Sequence, residues 1–204
     1  MAARRGRPRD DAARQRIVGA ASALFEQRGF VGTTIVDIAA EAGVAVQTIY
    51  QAYGSKVGLL GAAHDVALAG DDDPVALAER AWFLALRDAP SPAAAWQEAL
   101  AALHLGTARV APLYAAMLAA EADPDVAGLL VAMRAQRAEF SRLLAEQVAA
   151  CPGGEGLDRA RLADVIYAVE SVESHALLVT QRGWSVEAWR AWVCDVVLRE
   201  ISAD

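Results

Sequence analysis

Two cysteines, three histidines and thirteen aromatic residues are few for a chain of 204 residues. Cys151 and Cys194 are too sparse and too far apart for a disulfide framework or a metal-ligand cluster, and they fit a reducing, cytoplasmic setting. His64, His104 and His175 fall singly on different predicted helices, and neither cysteine has a local histidine or a CxxC context. Glu170 and Glu173, near His175, read as a solvated helix face. No metal and no cofactor are therefore expected, nor is an enzyme. No run approaches eighteen uninterrupted apolar residues, and the opening MAARRGRPRDD lacks the apolar core of a secretory signal, so no membrane span is predicted. Alternation of period two is absent throughout, as is any internal repeat, which leaves an all-α fold.

What the chain does have is an uneven charge. The formal net charge is -7, yet residues 1–60 hold eight Arg/Lys against five Asp/Glu, a net +3, while the remainder holds eleven against twenty-one, a net -10. Positive potential gathered at one end of an acidic protein suits a polyanion there and argues against general coating of nucleic acid. Residues 1–10 form a basic arm in which Arg5-Gly6-Arg7-Pro8 resembles the core of an AT-hook. Pro8 keeps Arg7 extended, and arginines presented in this way enter a narrow A·T minor groove. A solvated tail is the plainer reading of the same residues.

From Asp10 the pattern becomes helical, with Ile17, Ala21, Leu24 and Phe25 on one face and Gly29 at the end. The stretch from Thr33 to Lys56 then reads as two short helices about a tight turn. Ile35, Ile38 and Ala39 recur at helical spacing, Ala42-Gly43-Val44 interrupts them, and Ile49 and Tyr53 begin a second stripe. Gly43 is the expected hinge, because a helix that stops and restarts steeply needs one residue at positive φ. Thr33 or Thr34 offers the N-cap, with Asp37 in the first turn. The second helix carries Gln47, Thr48, Tyr50 and Gln51 off its core stripe, uncharged side chains that form hydrogen bonds and reach base edges without repulsion from phosphate. This is a helix-turn-helix with a recognition helix. Ser55 caps a fourth helix running to about Gly70.

ASALFEQRGF at 21–30, TTIVDIA at 33–39, Gly43-Val44, Thr48-Ile49-Tyr50, Ser55-Lys56 and Leu59-Leu60 together resemble the DNA-binding head of TetR-type transcriptional repressors. The resemblance covers about Arg14 to Leu60. It implies an arm at 1–10, a helix-turn-helix domain at 11–55 and an effector-binding and dimerisation body at 56–204. For double-stranded DNA, Gln47 is the candidate for bidentate pairing with adenine, Val46 and the Thr48 methyl for thymine methyl groups, and Thr34, Tyr50 and Lys56 for phosphate. Ala45 and Gln51 complete the exposed face. Ala45 stands where the family often has Ser, and Ala52 where it often has His or Tyr, so affinity leans more on Arg5 and Arg7.

In the body, helices are predicted at about 74–88, 92–108, 112–121, 124–150, 158–181 and 185–202, with breaks at Pro90-Ser91-Pro92 and Ala111-Pro112. Asp71-Asp72-Asp73-Pro74 reads as a capped turn. The glycines of the loop from Cys151 to Gly156 lack the preceding strand and following Lys-Ser/Thr of a phosphate cradle. On the penultimate helix Leu162, Val165, Ile166, Val169, Val172, Ala176 and Leu177 form the inner stripe. Val186, Trp189, Val193, Val196, Val197 and Ile201 do so on the last, whose Trp192, Cys194 and Leu198 fall elsewhere. A helix apolar on more than one face needs a second partner, and a homodimer through Val169, Val172, Ala176, Trp189, Trp192, Val193 and Val196 supplies one. Trp82, Trp96, His104, Tyr114, Met117, Met133 and His175 are candidates for a small-molecule pocket, although such residues at helical spacing are ordinarily core. The resemblance implies a dimer reading a near-palindromic operator and released by an effector. Two alternatives stay open: a DNA-binding factor of the same type without a small ligand, and an all-helical enzyme.

Overall fold

A computed structural model of the chain describes residues 8–73 and 75–202, with side chains from residue 12 onward. Arg5 and Arg7 lie outside these, as do the side chains of Asp10 and Asp11. The described residues form helices joined by turns and loops, with no strand, and they fall into two compact units: residues 8–72 with 112–130, and residues 73 and 75–111 with 131–202.

The first unit starts with α1 (Pro8–Arg28), α2 (Ile35–Ala42), α3 (Val46–Tyr53) and α4 (Lys56–Ala69). Ile17, Val18, Ala21, Leu24 and Phe25 are the buried face of α1, which packs on α2 and α4. These spacings of three, four and seven residues put the side chains on one side of a 3.6-residue helix. Residues 112–130 belong to this unit as well, and Leu113, Tyr114, Met117, Val126 and Leu130 are buried there. A Cβ on Gly61 of α4 would stand 3.4 Å from Leu129 Cδ1, an ordinary contact distance, so α4 faces that segment at Gly61.

The second unit contains a short α5 (Ala81–Ala85) between two single 3-10 turns, most of α6 (Pro92–Leu118) and α7 (Pro124–Ala149), α8 (Arg159–Val169), a four-residue α9 (Val172–His175) and α10 (Val186–Ile201). Its core gathers Phe83, Trp96, Leu100, Leu144, Val148, Leu162, Ile166, Trp189, Val193 and Val197. Three expectations need correction here. The break at Ala111-Pro112 is absent: α6 runs through Pro112, which lies exposed with a half-exposed Ala108 four residues back. Proline there removes one intrahelical hydrogen bond and crowds one carbonyl, and a solvated carbonyl tolerates both. The single helix at 158–181 is broken at Glu170-Ser171, where Ser171 is extended (φ -143°, ψ 153°) and its Oγ accepts from Ser174 N at 3.0 Å. After α9 the chain continues as a π-helical segment, Ala176–Gln181. Its wider turn shifts the faces, so Leu177, expected inside, is 55% exposed.

The third correction concerns the interface. Trp189 and Val193 are fully enclosed within their own chain, and Val169 and Val172 are buried as well. Trp189 is held there by its indole, which donates to Ser174 Oγ at 2.9 Å, while Ser174 Oγ donates to the Val169 carbonyl at 2.6 Å. A side chain consumed by its own core has no surface to give a partner. Ala176, Trp192 and Val196 are half-buried.

His175 lies against Trp189 edge to face, ring centroids 5.2 Å apart, and neither of its buried ring nitrogens has a hydrogen-bond partner. Burial holds its pKa below the ordinary histidine value of 6.5. The folded protein thus binds this proton less readily than the unfolded chain. Stability from this group is complete above about pH 6.5 and is lost as pH falls through the folded value. Urea unfolding between pH 7.5 and 5.5 should show this acid-side loss, and His175→Phe should flatten it. An unchanged slope in the variant would place its origin elsewhere.

Candidate nucleic-acid interface

The turn between α2 and α3 follows from local chemistry. Thr34, not Thr33, is the N-cap of α2, with a complete capping box: Thr34 Oγ1 accepts from Asp37 N at 3.1 Å and Asp37 Oδ2 accepts from Thr34 N at 3.0 Å. Thr34 Oγ1 also donates to that carboxylate at 2.6 Å, and these bonds hold the Asp37 pKa below the usual carboxylate range. Thr33 is wholly buried, its hydroxyl 3.0 Å from the Leu24 carbonyl and 2.9 Å from that of Gly29. Gly43 closes α2 in the left-handed region (φ 65°, ψ 42°), as its position at the hinge predicts. Val44 N then reaches back to the Ala39 carbonyl at 3.0 Å, and α3 begins three residues after Gly43.

Of the side chains on α3, Ile49 alone is buried, at 0% exposure. Gln47, Thr48, Tyr50, Gln51 and Ala52 are exposed, Val46 and Tyr53 half-buried. Ala45 occupies the N-cap with no side-chain hydrogen bond, so the first amides of α3 have no capping acceptor from their own chain's side chains. The turn into α4 is tight. Gly54 has positive φ, Ser55 Oγ accepts from Gly58 N at 3.0 Å, and a Cβ on Gly58 would stand 2.2 Å from the Tyr53 carbonyl oxygen. Thr34 and the α3 residues Val46, Gln47, Thr48, Tyr50 and Gln51 thus lie in one helix-turn-helix.

Lys56 is where the expectation and the structure part. Its ammonium donates to the Phe30 carbonyl at 2.9 Å and to the Thr33 carbonyl at 3.1 Å, and it stands 4.0 Å from the centroid of the Phe30 ring. Two carbonyls thus accept from the ammonium, and the Phe30 ring face stands beside it. The phosphate role expected of it is not the one its own contacts serve. Of the seven pocket candidates, Tyr114 and Met117 belong to the first unit, and Trp82, Trp96, His104, Met133 and His175 to the second. Trp96 is wholly inside the core there, and His104 Nδ1 pairs with the Leu100 carbonyl one turn back at 2.9 Å.

Sequence reasoning missed the cluster Thr107, Arg137, Glu170 and Glu173 in the second unit. Thr107 Oγ1 donates to Glu170 Oε1 at 2.6 Å, Arg137 Nη1 donates to Glu173 Oε2 at 2.5 Å, and the Arg137 guanidinium lies 4.2 Å over the Tyr167 ring. Burial pushes the Glu170 carboxyl up, partly offset by Thr107 and Arg137. No helical spacing exposes this cluster, because the chain breaks at Glu170-Ser171 and the partners Thr107 and Arg137 lie 63 and 36 residues from the carboxylates they meet. Gly58→Ala should cost about 1–3 kcal/mol, the usual cost of forcing volume into a packed site, read as a fall in urea midpoint. An unchanged midpoint would mean the α3–α4 turn opens freely.

Residues 17–63 match the family of bacterial regulatory proteins, tetR family. No curated protein is significantly similar to the chain. Among solved structures, a TetR-like transcriptional regulator from Rhodococcus is similar over 94% of this chain and 97% of its own, with 19% identity and a TM-score of 0.59. A protein assigned as a transcriptional regulator from Pseudomonas aeruginosa aligns over 98% and 94%, at 19% identity and a TM-score of 0.64. One assigned to the TetR family from Mesorhizobium loti aligns over 96% and 98%, at 17% identity and 0.62. At such identities the likeness speaks to fold. Residues 17–63 thus match a tetR-family head, and the fold along almost all of the chain is similar to that of these solved structures.

Proposed function

We propose that this chain is a transcriptional regulator of the TetR type, a homodimeric repressor that reads a near-palindromic operator through α3 and leaves it when a small molecule binds the body. The observation that carries the reading is the division of α3 itself. Ile49 alone is buried, while a continuous exposed face offers carboxamides, hydroxyls and methyl groups with no charge. Such a face is suited to base edges, where hydrogen-bond pattern rather than charge distinguishes one pair from another. Gln47 pairs with adenine, Val46 and Thr48 meet thymine methyl groups, and Thr34 and Tyr50 hold phosphate, with Ala45 and Gln51 flanking them. Arg5 and Arg7 supply the minor-groove arm. Two such helices sit in successive major grooves, about 34–36 Å apart.

A dimer is favoured by apolar surface on the C-terminal segments. Leu177 and Trp184 are 55% and 40% exposed, and Ala176, Trp192 and Val196 are half-buried beside them in sequence. An effector is favoured by polar groups enclosed without partners in the second unit, both ring nitrogens of His175, Arg137 Nε, Trp96 Nε1 and Gln147 Oε1. Buried groups of this kind are rare unless something else satisfies them. The effector acts by preferring the protein geometry that does not fit DNA, since equal affinity for both geometries would shift nothing.

Selection from random duplexes, followed by a compound screen for release, tests the reading. A near-palindromic consensus and at least one releasing compound are expected. Binding without any sequence preference would refute operator reading, and a tight operator complex that no compound releases would leave the factor without a small ligand. Within the consensus, Gln47→Ala should relax a single base position by about 1–3 kcal/mol. Equal weakening on every duplex would remove Gln47 from base contact.

A further inference from the structure

The chain carries nineteen basic residues, and eighteen of them are arginine. Its one lysine is Lys56, the first residue of α4. That is an unfavourable place for a cation on helix grounds, because the N-terminal end of a helix already bears partial positive charge. Something other than helix stability therefore accounts for it. Its partners supply the reason: the Phe30 and Thr33 carbonyls, 2.9 and 3.1 Å from Nζ, and the Phe30 ring with its centroid at 4.0 Å. Three acceptors arranged about one point suit a small tetrahedral donor. A planar guanidinium, with its donors spread in a flat fork, does not fit that arrangement.

We infer that Lys56 is a positioning residue for α3: its ammonium clamps the α1–α2 turn to the start of α4 and so fixes the recognition helix held between them. The two carbonyls belong to the turn that leads into α2. Thr33 is buried there by its own hydroxyl, Thr34 next to it is the N-cap of α2, and Phe30 is 5% exposed, its ring 5.9 Å from that of Phe25. α3 packs on α2 on one side and α4 on the other, with Ile49 its only buried side chain. Lys56 joins those two flanking helices at a point α3 does not itself touch through a hydrogen bond. Without the clamp α2 and α4 are coupled less directly, and the pitch of α3 becomes variable. Loss of pitch affects base contacts first, because hydrogen bonds to base edges tolerate less displacement than the attraction of charges to phosphate. The inference rests on the operator-reading proposal above.

Lys56→Met keeps the stem over Phe30 and removes the donors. On a duplex selected by the wild-type protein and a scrambled one, the variant should lose at least about tenfold in preference for the former. The slope of log K against log salt should stay within about half a unit of wild type, because no phosphate contact is lost. A slope reduced by about one unit with preference intact would make Lys56 a phosphate contact and overturn the inference. So would a lowered melting temperature with DNA binding unchanged well below it. A wild-type measurement covers the case of a variant that does not fold. Lysine labelled with nitrogen-15 gives one side-chain ammonium signal in this chain, expected to exchange slowly in the free protein and to stay put when the selected duplex is added. Fast exchange, or a large shift on adding DNA, would overturn the clamp. Were the wild-type protein to select no sequence, the operator proposal would fail, and slow or fast exchange in the free protein would still decide whether the clamp exists.

Discussion

A helix that shows one face to another molecule has only the opposite face with which to hold itself, and α3 holds itself by Ile49. Burying one isoleucine contributes only about 1.5–3 kcal/mol, too little to fix the direction of an eight-residue helix. Its orientation is therefore borrowed. Gly43 sets the angle at one end, the Tyr53-to-Gly58 turn sets it at the other, and α1 carries α2 and α4 on its single apolar face. The capping box at Thr34 and Asp37, the burial of Thr33 and the Lys56 ammonium all act on these flanks and not on α3. The exposed row from Gln47 to Gln51 is free to be polar because none of it is needed for cohesion.

The second unit follows the opposite rule. Its core encloses large side chains, Trp96 and Trp189 among them, and buried polar atoms are tied to one another where they can be. The run from α8 through α9 is where regularity fails: an extended serine, four α-helical residues and a π-helical segment in succession. Glu170, Glu173 and His175 all sit at this irregular stretch, with the Thr107 hydroxyl and the Arg137 guanidinium brought to the two carboxylates. Departures from α-helical geometry of this kind often accompany function in helical proteins.

Much of the head was legible in the sequence because its determinants are local. Gly43, Thr34 with Asp37, Ser55 and Gly70 act on amides within a few residues of themselves, so spacing alone exposes them. The resemblance to a known head was carried by the same residues. What the sequence concealed is long-range. Lys56 is separated by 26 and 23 residues from the carbonyls it binds, and without that knowledge a basic residue beside a recognition helix reads as a phosphate contact. Trp189 and Val193 fall on the inner stripe of the last helix, and a stripe alone does not say whether a partner chain or the chain's own core covers it; here the core of their own unit takes them in. Pro112 reads as a stop, yet an exposed proline in a long helix removes one bond among many. Leu177 turned outward because a π-helical step changed the period on which the reading depended.

The claim on which all of this converges is that α3 enters the major groove by its exposed face. Dimethyl sulfate probing of a duplex selected by the protein tests it most directly, since the reagent methylates guanine N7 in the major groove and adenine N3 in the minor groove. Protection of N7 in two patches about one helical turn apart is the predicted result. Undiminished N7 reactivity on a fully bound duplex, with any protection confined to adenine N3, would contradict it.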